Sequence, residues 1–181
     1  MALQGAIEPG KVLQVVRGTL STKFSQSTGS LVDIGLDATI TPSSTSSKIL
    51  IHATIWNGGE NDGYPYFCLF RGTTKLTDFE GSASSGNQIN VFAGGFFTAI
   101  ASMIYRQHCL NRHVLDEPYT TSATTYKIQG ANPYTAGGTG NVFVNRSSND
   151  GNSSFVQNPQ SELVLMEIAD WWQIIIGLLK I

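Results

Sequence analysis

Short runs in which apolar and polar residues alternate recur along the chain, each closed by Ser, Gly, Pro or Asn: SLVDIGL, DATITPSS and SKILIHATIW. Such period-two patterns put successive side chains on opposite faces of a strand. In the third run Ile49, Ile51, Ala53 and Ile55 share one face, with Lys48, Leu50, His52 and Thr54 on the other. Upstream, Pro9 and Gly10 close an irregular start and KVLQVVRG begins a strand over 11–17. Downstream, GGENDG at 58–63 signals a turn, and YPYFCLFRGTTKL reads as a strand, a tight turn about Gly72 and a shorter return strand. Residues 78–88 read as a loop.

INVFAGGFFTAIASMIY suits a buried helix as well as a core strand by length. Val91, Phe92, Phe96, Phe97 and Ile104 favour β structure and Gly94-Gly95 interrupt it, which predicts two strands with a bend. Beyond HVLDEPYTTSA, the runs TTYKIQGAN, GNVFVNRSS and SELVLMEIA are three further strands separated by Pro, Gly and Asp-Gly turns. About eight to ten short strands at this spacing predict an all-β fold, an antiparallel sandwich or jelly roll. No repeat, heptad seam or low-complexity linker divides it. The reading is an N-terminal arm at 1–10, a jelly-roll domain at 11–169 and an apolar tail at 170–181.

Composition narrows the function. The chain has 181 residues, enough for one domain with a proper core. Hydrophobic residues make up 41% but charged residues only 13%, about half the usual share; Ser, Thr, Asn and Gly take the place of charge. A net charge of -2 argues against a protein that neutralises phosphates with clustered Lys and Arg. Nucleic acid is therefore not an expected partner. Disorder combines low hydrophobicity with high net charge, and the chain has neither.

Cys68 and Cys109 stand outside any CxxC spacing and read as buried free thiols. MALQGAIEPGK lacks a basic region followed by an apolar core, so no secretory signal is read and folding in a reducing cytosol is expected. The sequons at Asn145 and Asn152 would matter only in a secreted eukaryotic protein. The longest apolar run, WWQIIIGLLKI at 171–181, has eleven residues, against about 20 for a helix that spans a bilayer. No membrane partner is expected.

That tail carries the strongest signal. If Asp170 caps a helix, Gln173, Gly177 and Lys180 form a narrow polar stripe, and Trp171, Trp172, Ile174, Ile175, Ile176, Leu178, Leu179 and Ile181 surround the rest. Three consecutive Ile and an internal Gly leave open an extended tail along a sheet edge. Either form needs a partner surface. Burying eight such side chains supplies more than about 10 kcal/mol before ordering costs. Leu3 and Ile7 are the corresponding apolar residues of the arm.

Chemistry-bearing clusters are sparse. His108, Cys109 and His113 match no common zinc spacing, and on a strand 108 and 113 face opposite ways. GENDGY and SSNDGNSS gather oxygen-bearing side chains but read as turn tips, without a calcium-loop pattern. No GxSxG, HExxH or phosphate-cradling loop is present. The expectation is a protein without catalytic activity, metal or cofactor. Tyr64, Tyr66, Tyr119 and Tyr134, in expected loops, suit recognition of a glycan, or else pack at the ends of the sandwich or between subunits.

KVLQVVRGTLSTKFSQSTGSLVDIGLDATITPSSTSSKILIHATIW, LDEPYTTSATTYKIQ and the closing SELVLMEIA together resemble a family of tailed-bacteriophage virion proteins, common in marine and cyanobacterial phages and often labelled tail-fibre-like. The resemblance spans about residues 11–168, more loosely over 57–100. It implies a trimeric jelly-roll head, similar in outline to the tumour necrosis factor fold, on the outside of a virion. Such chains usually end after the MEIA strand, whereas this one continues over 170–181, and no long shaft precedes the head.

The resulting expectation is a homotrimeric capsid decoration, or cement, protein that folds in the host cytoplasm and then sits on the capsid exterior. Its partners would be itself and the major capsid protein or another virion protein, with Leu3, Ile7 and the apolar tail residues at virion or subunit interfaces. The alternative is a receptor-binding tip of a tail or head fibre, in which the four tyrosines contact host glycans.

Overall fold

The computed structural model describes residues 10–27, 29–59, 63–83, 86–95, 97, 105–133 and 140–170. Among these the chain forms β1 (Val12–Leu20), β2 (Phe24–Ser27), β3 (Val32–Ile40), β4 (Lys48–Gly58), β5 (Tyr66–Arg71), β6 (Thr74–Lys75), β7 (Ala93–Gly94), β8 (Gln107–Asp116), β9 (Thr124–Ala131), β10 (Asn141–Val144) and β11 (Ser161–Ile168), with one turn of 3-10 helix at Thr77–Phe79. The first sheet runs β1-β11-β4-β8 across its width. β10 and β2 continue the lines of β11 and β1 past the far end of β4. The second runs β3-β9-β5-β6, with β7 also on β5. All pairings are antiparallel, and the interleaved strand order is that of a jelly-roll sandwich.

The alternation read in β4 holds. Ile49, Ile51, Ala53 and Ile55 are buried, facing Ile34, Leu36 and Ile40 of β3, Phe67 and Leu69 of β5, and Tyr126 and Ile128 of β9 in one core. SLVDIGL and DATITPSS, read as separate runs, are largely one strand. Gly35, at φ +82, sits in a register shift between Asp33 and Leu36, a bulge that lets β3 bend without ending. Gly18 is where β1 crosses β3: a Cβ there would lie 1.8 Å from the Asp37 carbonyl oxygen.

Two regions differ from the sequence expectation. β8 was not read as a strand, because His108 and Arg112 interrupt the inward parity on which Leu110 and Val114 lie. It is an edge strand, paired to β4 over its full length and mostly exposed. Of the two strands expected over INVFAGGFFTAIASMIY, the described part contains the two-residue β7 and a single bridge between Gly63 and Phe97; residues 98–104 lie outside the described residues.

Where β1 gives way to β2, and β10 to β11, Asn145 holds the sheet together. Its backbone, at φ +59, donates from N–H to the Trp56 carbonyl at 2.9 Å. Its Nδ2 donates to the Leu20 and Thr22 carbonyls at 2.6 and 3.1 Å. Its Oδ1 accepts from Ser161 Oγ at 2.6 Å, and that hydroxyl accepts the Trp56 N–H at 3.0 Å. The side chain is buried, so this sequon asparagine is a structural clamp.

Candidate functional site

The sandwich has two chemically different ends, separated by the eleven residues of β4, about 36 Å at 3.3 Å per residue. At one end both flanks of the chain leave side by side: Gly10 N–H donates to the Ala169 carbonyl and Ala169 N–H to the Lys11 carbonyl, each at 2.9 Å. Segments 1–9 and 171–181, with Leu3, Ile7, Trp171, Trp172, Ile174, Ile175, Ile176, Leu178, Leu179 and Ile181, lie outside the described residues.

Polar networks brace this end. Glu167 is fully buried on the inward parity of β11, and its carboxylate accepts Ser43 N–H at 2.7 Å and Ser43 Oγ, Ser47 Oγ and Gln14 Nε2 at 2.6 Å each. Burial alone would raise its pKa; these donors more than offset burial and hold the carboxyl below its usual range. The Ser-rich connection from β3 to β4 is thereby tied to the last strand. Nearby, Asp116 accepts from Arg71 at 2.7 Å and from the Tyr126 hydroxyl at 2.6 Å, bridging the two sheets. Burial first, and then Asp116, pushes the Tyr126 phenol far up. On the rim, Lys48 pairs with Glu117 at 2.7 Å and Tyr119 donates to the same carboxylate. The hydrogen bond from Lys48, then that from Tyr119, holds the Glu117 carboxyl down.

The other end carries Tyr64 and Tyr66. With Pro65, Ile89, Val91 and Pro133 they line a shallow, largely apolar groove of about 430 Å³. Burial raises the Tyr66 phenol, and Tyr64 is 43% exposed. The structure thus brings two of the four candidate tyrosines together. Tyr119, 71% exposed, lies at the opposite end with the chain's exits. Tyr134 lies outside the described residues.

A larger open hollow of about 800 Å³ runs between residues 81–83 and 88–94 on one side and β8 on the other, where Arg112 lies 5.4 Å over the Phe92 ring. Cys109, expected to be buried, is exposed on the outward face of β8, whereas Cys68 is buried. Burial first, then the Glu80 carboxylate beside it, pushes the Cys68 thiol up to about 12. His108 turns inward and stacks on Phe97 at 4.6 Å between ring centroids, while His113 faces outward across from His52. In the 147–154 loop Asp150 pairs with Lys23 and Arg146, and Asn149 Oδ1 accepts Gly151 N–H in a side-chain turn. Among the described residues no group of three His, Cys, Asp or Glu side chains is placed to hold a metal, and no helix is long and apolar enough to cross a membrane.

Sequence reasoning passed over Glu167, Asn145 and Asp116. Glu167 had a readable signal, since it shares the parity of Leu163 and Leu165 and so points into the sandwich.

These features define a jelly-roll sandwich whose chain exits gather at one end. No protein-family model matches the chain, and no curated protein matches it. Among solved structures it is similar to one described as infectious bursal virus-derived T=1 particles, at 12% identity and a TM-score of 0.42, covering 88% of this chain. The chain spans 37% of the length of that one, and at this level of likeness no function is transferred.

Proposed function

We propose that the chain is a non-enzymatic structural protein of a bacteriophage virion, a homotrimeric jelly roll that decorates and cements the capsid exterior. The observation that carries this reading is the common exit of the two flanks, fixed by the paired bonds of Gly10, Lys11 and Ala169. Arm and tail, with their apolar residues, therefore leave from one attachment end, while the weakly charged sandwich meets neighbours. The phrases that resemble phage virion proteins support the same reading. The partners are further copies of the chain and the major capsid protein or another virion protein; no cofactor takes part. The physical effect is added buried contact between capsomers, which outward pressure from packaged DNA must break.

The test deletes residues 171–181 and measures incorporation into capsids, capsid stability and adsorption to host cells. Undecorated, less stable capsids with normal adsorption are expected. Intact capsids that no longer adsorb would overturn the reading.

One observation favours a second reading, a receptor-binding tip: the groove at Tyr64 and Tyr66 lies at the end away from the exits, where a displayed module would meet a host glycan. Tyr64→Ser with Tyr66→Ser separates the two, since it abolishes adsorption for a tip and leaves a cement protein unaffected.

A further inference from the structure

The outward face of the first sheet departs from the usual pattern. Polar residues are expected on the solvent side of an antiparallel sheet, and two rows in register across β1, β11, β4 and β8 largely obey: Arg17, Val164, His52 and His113, and beyond it Thr19, Glu162, Thr54 and Asn111. Next to the Arg17 row, nearer the chain's exits, the register instead aligns Val15, Met166, Leu50 and Leu115, one apolar residue from each strand. Val12 and Ile168, paired closer still to the exits, extend the patch. Val15 is 57% exposed and Leu115 45%.

The size of the patch says what covers it. Four strands at about 4.8 Å spacing make the row about 14 Å long, and two rows of side chains make the patch about 10 Å wide. That is a small fraction of the roughly 800 Å² that each partner gives to a stable protein interface. A globular neighbour is too large for it; a single segment of chain fits. The eleven residues after Asp170 begin at the same end of the same sheet, just past the bond between Ala169 and Lys11, and eight of them are large and apolar. They reach about 16 Å as a helix and about 36 Å extended, so either form spans the row. Tethering makes the encounter intramolecular, which favours the chain's own tail over any other.

We infer that residues 171–181 dock on the Val15-Met166-Leu50-Leu115 row of their own subunit. The inference does not rest on the virion reading. A tail so docked meets the sheet with one side and leaves its remaining apolar side chains for a neighbour in whatever assembly the chain joins.

The test uses the purified full-length protein without any virion, so its failure is distinct from that of the decoration assay. In a Cys109→Ser background, Leu50→Cys is combined in turn with Ile174→Cys, Ile175→Cys, Ile176→Cys or Leu178→Cys and oxidised. An intrachain disulfide in at least one pairing, with a yield independent of protein concentration, is expected. Disulfides formed only between chains, or none in any pairing, would overturn the inference. Val15→Asp, at an exposed position, gives an independent measurement: limited chymotrypsin digestion removes the tail at least tenfold faster than from the parent, and equal rates refute the docking.

Discussion

Asn145→Ala removes the clamp at the break in the first sheet. In the interior the Leu20 carbonyl loses the donor, and the Ser161 hydroxyl the acceptor, that Asn145 supplies. At about 1.5 kcal/mol each, within the 1–3 kcal/mol that a buried orphaned group costs, the two amount to about 3 kcal/mol. Alanine must also hold the φ of +59 that Asn145 adopts, which costs about 1 kcal/mol more for a residue with a Cβ and no local hydrogen bond. The expected loss is about 4 kcal/mol, a large part of the roughly 5–15 kcal/mol by which a domain is stable. In thermal unfolding at fixed protein concentration it lowers Tm by about 8–16 °C. Asn145→Gly separates the two contributions, because it loses the same hydrogen bonds without the backbone strain and recovers about 1 kcal/mol. Asn145→Asp sets a carboxylate oxygen against the Leu20 carbonyl and is worse than alanine. A loss below about 1 kcal/mol for Asn145→Ala, or equal losses for alanine and glycine, would refute the account.

Other outcomes follow from the same geometry. Because the Glu167 carboxyl is held below its ordinary 4.5 in the fold, its contribution to stability is fully present above that value and is lost as pH falls through the folded pKa. Urea unfolding from pH 7 to pH 3 therefore shows a decline that Glu167→Gln flattens; parallel curves would contradict this. A maleimide at pH 8 labels the native protein once, at exposed Cys109, and twice after unfolding, since Cys68 is buried with its thiol pushed up to about 12; mass spectrometry counts the adducts. Gly18→Ala drives a Cβ into the Asp37 carbonyl and costs about 3 kcal/mol or more in chemical unfolding, whereas Gly81→Ala, with open space around it, changes stability by less than about 1 kcal/mol.

The strands legible in the sequence were those with one apolar parity, as in β4, β9 and β11, because a strand packed on one side writes its burial into alternate residues. β8 escaped for the opposite reason. Its inward positions alternate Leu110 and Val114 with His108 and Arg112, whose planar groups lie on the Phe97 and Phe92 rings at a largely exposed edge, so the aliphatic parity is interrupted. The tyrosines show a second limit. Tyr64, Tyr66 and Tyr119 look alike in composition, yet the first two share a groove and the third sits at the chain's exits, a distinction set by which way the strands run. Asn145 was visible only as a sequon, since the four segments it joins come from positions 20–22, 56, 145 and 161.

The low charge of the chain acquires a physical meaning once its partners are known. Among the described residues Arg17 pairs with Glu162, Lys23 and Arg146 with Asp150, Lys48 with Glu117, Arg71 with Asp116, Lys75 with Glu80 and Lys127 with Asp33. Exposed pairs of this kind add little stability each. Their effect is that much of a small stock of charge already has a counter-charge within the subunit. A neighbour approaching the surface between these pairs meets mainly neutral hydroxyl, amide and hydrocarbon groups, whose desolvation costs far less than that of bare ions. A surface composed in this way suits lasting contact with other protein surfaces better than steering of a charged ligand, which needs a concentrated field that this sequence does not supply.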